Sequence, residues 1–236
     1  MTLSPHAPRS GGFLVAHRAG NDLQLLRDAI RLGARLIECD LRIFRGRVEV
    51  RHLKTVGPIP ILWDTWHLGN PFSKRLQLDE LLATVGPLGA ELMLDLKGRD
   101  LRLSRKVIEA LDARTEHLPI TICAREWRLL DAFDDRPDVR TVCSVGSRRG
   151  LRRLLARRRD RRLGGVSIHE SLLNPDTIRQ LNAEAELIMT WPVNTTERAQ
   201  TLLAWGVHGL ITDDAAMIAP LVQAAHPADP VGERRA

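Results

Sequence analysis

The stretch LIECDLR, Leu36–Arg42, combines the apolar residues of a β-strand with two carboxylates near its end. Glu38 and Asp40 stand two positions apart, and side chains two positions apart on a strand point to the same side. The stretch ELMLDLK, Glu91–Lys97, repeats the pattern with an aspartate and a lysine two apart at its end. Two strands that each end in charged side chains predict a parallel sheet with a polar site along one edge.

Short apolar runs of this kind alternate with longer amphipathic stretches through most of the 236 residues. Such alternation is typical of repeated βα units. Strands are predicted at Phe13 to Arg18, Leu36 to Arg42, Glu91 to Lys97, Ile120 to Ala124, Arg140 to Val145, Gly165 to His169, Glu186 to Trp191 and Gly209 to Thr212. Eight parallel strands in a chain of this length favour an α/β fold, a single (β/α)8 TIM barrel, over an open sheet.

A short insertion is predicted after the second strand. Between Val48 and Lys74 the alternation stops, and a short strand, Val48 to Val50, is followed by a loop with Pro and Trp residues. Insertions of this kind usually lie over the active face of a barrel, so Trp63, Trp66 and His67 are expected to line its mouth or to pack its lid.

The expected organisation is one barrel domain between two tails. The barrel is placed at residues 13–225, after an N-terminal tail at 1–12. The Pro- and charge-rich stretch at 226–236 is expected to be a disordered C-terminal tail.

Composition describes a globular protein with a basic surface. Hydrophobic residues make up 44% and charged residues 27%, and the net charge is +6. A positive charge favours anionic partners such as phosphate esters, phospholipid headgroups or nucleic acid.

The segment 148–162, which holds nine arginines, is interpreted as an outer helix with a solvated basic face. Peripheral contact with an anionic membrane surface is the second interpretation. No specific nucleic-acid binding is expected, because interleaved aromatic residues and recognition motifs are missing from this run.

The three cysteines, Cys39, Cys123 and Cys143, lie in apolar runs and are expected to be reduced and buried. The sequence has no apolar signal-like segment near Met1 and no uncharged run long enough to cross a bilayer, so a cytoplasmic location is expected. The oligomeric state is not predicted.

Three carboxylates are expected to converge where the strands end. Glu38, Asp40 and Asp95 form a hard-oxygen set that suits Mg²⁺, Ca²⁺ or Mn²⁺ better than a structural zinc ion. The alternative is a set of salt bridges with basic neighbours such as Arg18 and Lys97. Three carboxylates at matching strand ends favour the metal site.

His17 and His52 are the candidate proton carriers. An imidazole titrates near neutral pH and can act as acid or base there. His17 shares a strand face with Phe13 and Val15, which places it at the rim where barrel active sites are built. Arg18 and Lys97 would supply positive charge to a phosphoryl transition state at the same rim.

These residues form a pattern that resembles the glycerophosphodiester phosphodiesterase family. The family motifs HRG, GAxxIExDV, VVxHD, LNIEIK, WTVN and GVDGIITD are matched in order by His17–Gly20, Gly33–Asp40, Val48–His52, Leu92–Lys97, Thr190–Asn194 and Gly206–Asp213. The resemblance extends over nearly the whole chain, from about Phe13 to Asp213. No single motif is specific, but their order and intervals agree.

The resemblance implies a barrel enzyme that splits a small-molecule phosphodiester into glycerol 3-phosphate and an alcohol. It implies a divalent cation, Mg²⁺ or Ca²⁺, held by Glu38, Asp40 and Asp95. It also implies that His17 and His52 act as general acid and base, and that Arg18, Lys97 and Trp191 bind the phosphate and the glycerol.

Four departures from the family pattern predict altered substrate preference or slower turnover. Asn21–Gln24 replaces the family's PENT segment, and Pro192 replaces a threonine. Asp95 stands where glutamate is usual, and Leu53 stands where an aspartate normally follows the second histidine, so His52 must be oriented by another residue. The alternatives are a lysophospholipase D- or sphingomyelinase D-like enzyme and a non-catalytic phosphoester-binding barrel.

Overall fold

In the computed structural model, the described residues are 12–56, 59–64, 67–69, 74–115, 118–156 and 162–224. The expected tails at 1–12 and 226–236 lie outside these ranges, apart from Gly12.

Twelve strands are found in the described part of the chain: β1 (Phe13–Ala16), β2 (Leu36–Phe44), β3 (Arg47–Val50), β4 (Lys54–Val56), β5 (Ile59–Asp64), β6 (His67–Gly69), β7 (Glu91–Leu96), β8 (Ile120–Ala124), β9 (Val139–Val145), β10 (Gly165–His169), β11 (Ile188–Trp191) and β12 (Gly209–Thr212). The helices within the same ranges are α1 (Leu23–Arg31), α2 (Leu78–Val85), α3 (Arg102–Asp112), α4 (Arg148–Leu155), α5 (Pro175–Glu184), α6 (Thr196–Ala204) and α7 (Ala215–Ala224).

Eight parallel strands close into a ring in the order β1, β2, β7, β8, β9, β10, β11, β12. The ring closes because β1 pairs with β2 on one side and with β12 on the other. Strand β3 lies outside the ring, antiparallel to β2. The predicted TIM barrel is therefore confirmed.

The insertion after the second ring strand differs from the expected loop. Strands β4, β5 and β6 pair antiparallel to one another as a separate small sheet. The β-branched and apolar residues of Ile59–Asp64 suit a strand, which explains why this segment is more regular than its proline content suggested. Trp66 and the side chains of Trp63 and His67 lie outside what the structure describes.

One link of the barrel has no α-helix. Between β8 and β9 the chain forms two 3-10 turns, Trp127–Leu129 and Asp131–Phe133, whose large apolar side chains pack into the core. Pro137 ends the link, and proline disfavours helix both at its own position and at the residue before it.

Strand boundaries shift by a few residues from the predicted ones. Strand β1 ends at Ala16 rather than at Arg18, because Arg18 adopts a left-handed conformation with φ 54°. Strand β11 begins at Ile188, two residues later than expected. The glycines after α1 and α6 do end those helices, since Gly33 and Gly206 have φ values of 78° and 96°.

The core has two layers. Inside the barrel lies a small cluster of buried residues: Phe13, Val15, Leu36, Met93, Cys123, Val142, Leu187, Met189 and Ile211. A larger cluster fills the space between the strands and the surrounding helices. All three cysteines are buried and free, as expected. Within the described ranges, no helix is long and apolar enough to cross a membrane.

Candidate active site

The predicted site residues meet at the mouth of the barrel where the parallel strands end. A cavity of about 610 Å³ opens there. Its lining includes seven of the eight predicted residues: His17, Arg18, Glu38, His52, Asp95, Lys97 and Trp191. The eighth, Asp40, is fully buried. A cavity of this size at this end of a barrel is a typical place for a small-molecule site.

The three carboxylates form one cluster. Oxygen atoms of Glu38, Asp40 and Asp95 lie within 4.8 Å of one another. The arrangement follows from the sheet register, in which Asp40 on β2 faces Asp95 on β7. Burial raises the pKa of Glu38 well above its usual value, and repulsion by Asp40 and Asp95 raises it further. Burial and the two neighbouring carboxylates therefore both oppose a negative charge on Glu38.

Lys97 is the cation nearest to this cluster among the described residues. Its Nζ lies 2.8 Å from Asp40 Oδ1 and also contacts Asp95 Oδ2. Burial disfavours the charged ammonium, but the attraction of Asp95 and Asp40 outweighs that effect and raises the pKa of Lys97. Lys97 is therefore a fixed positive charge beside the carboxylates.

Asp40 is held by a network that sequence analysis only partly foresaw. Its Oδ2 accepts a hydrogen bond from Asn21 Nδ2 at 2.7 Å, and its backbone N–H donates to Asn21 Oδ1 at 2.8 Å. Burial alone would raise the pKa of Asp40, but the hydrogen bond from His52 and the charge of Lys97 hold that pKa below its usual range. Asn21 belongs to the segment that replaces PENT, so the shortened loop still reaches the site.

At Arg18 the chain turns after β1, and this turn lies at the site. In its left-handed conformation, its backbone N–H donates to Glu38 Oε2 at 2.6 Å. The guanidinium Nη2 lies 3.1 Å from His52 Nε2. The close approach of this turn to β2 needs a glycine at position 20, because a Cβ there would lie 2.7 Å from the Cβ of Cys39.

Asp40 is the residue that orients His52 in place of the aspartate missing at Leu53. His52 Nδ1 lies 3.3 Å from Asp40 Oδ1. A guanidinium only donates hydrogen bonds, so contact with Arg18 makes His52 Nε2 an acceptor. The ring proton then lies on Nδ1, where it is donated to Asp40.

His17 has a carboxylate partner of its own, which sequence analysis missed. His17 Nδ1 lies 2.6 Å from Asp213 Oδ1. Burial would raise the pKa of Asp213, but the hydrogen bond from His17 holds it below its usual range. Asn194 fixes this carboxylate, with Nδ2 3.3 Å from Asp213 Oδ2. The order of the strands could have revealed this contact. The first and last strands of a closed barrel are neighbours, His17 follows the first, and Asp213 follows the last.

Trp191 forms an aromatic part of the cavity wall at the end of β11. The His169 ring meets it edge-on, with centroids 5.0 Å apart. The Arg125 guanidinium carbon lies 5.8 Å from the centre of the Trp191 ring. The indole is thus held in place by neighbours on two sides.

No protein-family model matches the sequence, and no curated protein sequence matches it. Solved structures do resemble the fold. A glycerophosphodiester phosphodiesterase from Parabacteroides distasonis superposes with a TM-score of 0.73 at 16% identity, over 92% of this chain and 98% of that one. The enzyme of the same name from Thermotoga maritima gives 0.65 at 17% identity, over 90% and 99%.

An Oleispira antarctica phosphodiesterase, solved in complex with the product sn-glycerol-3-phosphate, gives a TM-score of 0.70 at 17% identity, over 92% of this chain and 98% of that one. At these identities the likeness concerns the fold. The chain has the TIM-barrel fold of the solved glycerophosphodiester phosphodiesterases.

Proposed function

We propose that this protein hydrolyses glycerophosphodiesters to glycerol 3-phosphate and an alcohol, using general acid–base catalysis and one divalent cation. The observation that carries the proposal is the meeting of two imidazoles with three clustered carboxylates. His17 and His52 each contact a carboxylate through Nδ1, and both line the cavity that Glu38 and Asp95 also line. The Oleispira antarctica relative in fold, bound to sn-glycerol-3-phosphate, supports the same substrate class.

The donor set fits Mg²⁺ or Ca²⁺. Carboxylate oxygens are the ligands that these ions prefer, and Glu38, Asp40 and Asp95 supply three of them within 4.8 Å. Burial raises the pKa of Glu38, and repulsion by Asp40 and Asp95 raises it further; a bound cation would relieve this repulsion. When bound, the cation would polarise a phosphoryl oxygen and offset charge that develops in the transition state.

The two histidines would carry the proton transfers. One takes a proton from the attacking water as the new P–O bond forms, and the other protonates the alkoxide as the P–O bond to the alcohol breaks. Asp40 and Asp213 would hold the two rings so that Nε2 of each is the atom that exchanges the proton.

Arg18, Lys97 and Trp191 would hold the substrate. The two cations lie beside the carboxylate cluster, where they can pair with non-bridging phosphate oxygens. The Trp191 ring offers an apolar surface to the glycerol carbons. Charged side chains outnumber apolar ones in the cavity, which favours a short polar diester over one with a long acyl chain.

The test is a panel of glycerophosphodiesters, with lysophosphatidylcholine beside them, assayed with Mg²⁺ and with Ca²⁺; the readouts are released glycerol 3-phosphate and released choline. Turnover should appear with a cation and disappear in EDTA. Hydrolysis of lysophosphatidylcholine without hydrolysis of glycerophosphocholine would favour the phospholipase D-like alternative. Binding of glycerophosphodiesters without turnover under any cation would favour the non-catalytic barrel.

A further inference from the structure

Two basic residues that line the cavity, Arg125 and Arg153, have no part in the mechanism described above. In a ring of eight strands, β8 and β9 lie across the mouth from β12 and β1, the strands that precede Asp213 and His17. Arg125 follows β8, and Arg153 reaches the same cavity from α4, the arginine-rich helix after β9. Part of the arginine run therefore belongs to the cavity and not only to a solvated face.

Two neighbours define the position of the Arg125 side chain at this side of the cavity. Its guanidinium rests near Trp191 on one side and near the backbone of Gly146 on the other. A Cβ at position 146 would lie 2.9 Å from Arg125 Nη2, so the absence of a side chain there makes room for the guanidinium. An aromatic contact also uses none of the N–H donors of a guanidinium.

Arg153 is placed in a comparable way. Its guanidinium carbon lies 4.7 Å from the centre of the Trp127 ring. Trp127 is itself buried and fixed, since its Nε1–H donates to the carbonyl of Ser144 at 3.1 Å, and Ser144 also lines the cavity. The exposed guanidinium of Arg153 thus contacts an indole that is buried and hydrogen-bonded.

A third guanidinium and one carboxylate complete this side of the cavity. Arg99 and Glu126 both line it, with Arg99 Nε 3.7 Å from Glu126 Oε2. Three guanidiniums, those of Arg99, Arg125 and Arg153, and one carboxylate leave a net charge of two positive units. A phosphate monoester carries about −1.5 to −2 near neutral pH and pairs bidentately with guanidinium groups.

We infer that Arg125 and Arg153 form a second anion subsite, which binds a phosphate group carried by the alcohol part of the substrate. The inference rests on the proposed function, because it concerns the substrate of the same hydrolysis. It names a narrower class: glycerophosphodiesters whose alcohol bears a further phosphate monoester. The reacting phosphodiester would lie at the histidines and carboxylates, and the second phosphate would lie at Arg125 and Arg153, across the mouth from His17.

Two probes that differ only in this phosphate provide the kinetic test. Wild-type protein should hydrolyse glycerophosphoinositol 4-phosphate with a kcat/KM about tenfold or more above that for glycerophosphoinositol, the size expected for hydrogen bonds to a charged group. Arg125→Gln and Arg153→Gln should each reduce this ratio several-fold. Arg152→Gln, an exposed neighbour on α4, is the matched control and should leave the ratio unchanged.

A binding measurement separates this inference from the proposed function. Calorimetry with inositol 4-phosphate, the alcohol product, should show binding that weakens about tenfold in Arg125→Gln and in Arg153→Gln but not in Arg152→Gln. If no diester is hydrolysed and this pattern still appears, the anion subsite stands and the hydrolase proposal falls. Equal binding by all four proteins, or equal kcat/KM for the two diesters in the wild type, would overturn the subsite.

Discussion

His17 and Asp213, 196 residues apart in the chain, are joined by a hydrogen bond of 2.6 Å between Nδ1 and Oδ1. The bond crosses the junction where β1 pairs with β12, so it exists only when the barrel is closed. A carboxylate at Nδ1 fixes the ring and favours the positive charge that an imidazole gains when it accepts a proton.

Replacing Asp213 tests this relationship. Asp213→Asn keeps an acceptor near Nδ1 but removes the charge, so kcat should fall about 10- to 100-fold with little change in KM. Asp214→Asn is the control, because Asp214 Oδ1 accepts a hydrogen bond from the backbone of Met217 in α7 rather than from a site residue. Steady-state kinetics on the two variants provide the measurement. If kcat of Asp213→Asn stays within twofold of the wild-type value, Asp213 has no role in the mechanism.

The histidines themselves should be indispensable for turnover. His17→Ala and His52→Ala should each lower kcat by about 100-fold or more, which is typical of losing general acid or base help. His208→Asn serves as the matched control, since His208 precedes β12 at the opposite end of the barrel. Wild-type-like kcat in either alanine variant would exclude that histidine as a proton carrier.

Removal of one carboxylate should weaken the binding of the cation. Glu38→Gln keeps an acceptor for the Arg18 backbone N–H but removes a negative charge from the cluster, so the affinity for Mg²⁺ or Ca²⁺ should fall about tenfold or more. Calorimetric titration measures this directly. Glu126→Gln, which lines the cavity outside the cluster, should bind the cation as the wild type does. Unchanged affinity in Glu38→Gln would place the cation elsewhere.

Asn21 should contribute measurably to stability. Asn21→Ala removes two hydrogen bonds to Asp40 and leaves the buried Asp40 backbone N–H without its acceptor, so the free energy of unfolding should fall by about 1–3 kcal/mol. Denaturant titration provides the measurement. Gln24→Ala, at a solvent-exposed bond with Asp28, should change the same quantity by no more than about 0.5 kcal/mol.

His208 should make stability depend on pH. Burial lowers its pKa, the charge of Arg162 lowers it further, and Nδ1 accepts a hydrogen bond from the Ile188 backbone N–H at 3.0 Å. Because the unfolded chain binds this proton more readily, the contribution is complete above the unfolded pKa of about 6.5 and is lost as pH falls through the lower folded pKa. The free energy of unfolding should therefore decrease below about pH 6.5.

The variant His208→Asn supplies the matching comparison. An amide oxygen near the Nδ1 position keeps the acceptor for Ile188 but cannot titrate, so the decrease below neutral pH should become smaller. Unfolding curves at several pH values, on both proteins, give this difference. The same slope in both would assign the pH dependence to other groups.

Sequence patterns predicted the features that depend on local spacing. Glu38, Asp40 and Asp95 could be placed at one edge because a strand has a period of two and parallel strands end together. Asp213 was missed because its contact with His17 depends on how the ring closes between β1 and β12. Asn21 was missed because its contact with Asp40 depends on how the turn after β1 lies against β2, which no local pattern reports. The sheet of β4–β6 was missed as well, since proline and tryptophan in Ile59–Asp64 resemble a loop when neighbouring strands are not known.

The closing of the ring between its first and last strands has a consequence for the time at which activity can arise during synthesis. The ribosome must release β12 before Asp213 can reach His17, although every carboxylate of the cluster has emerged long before. A nascent chain that stops short of this strand lacks the carboxylate that contacts His17. The complete pair of His17 and Asp213 therefore exists only after the barrel has closed.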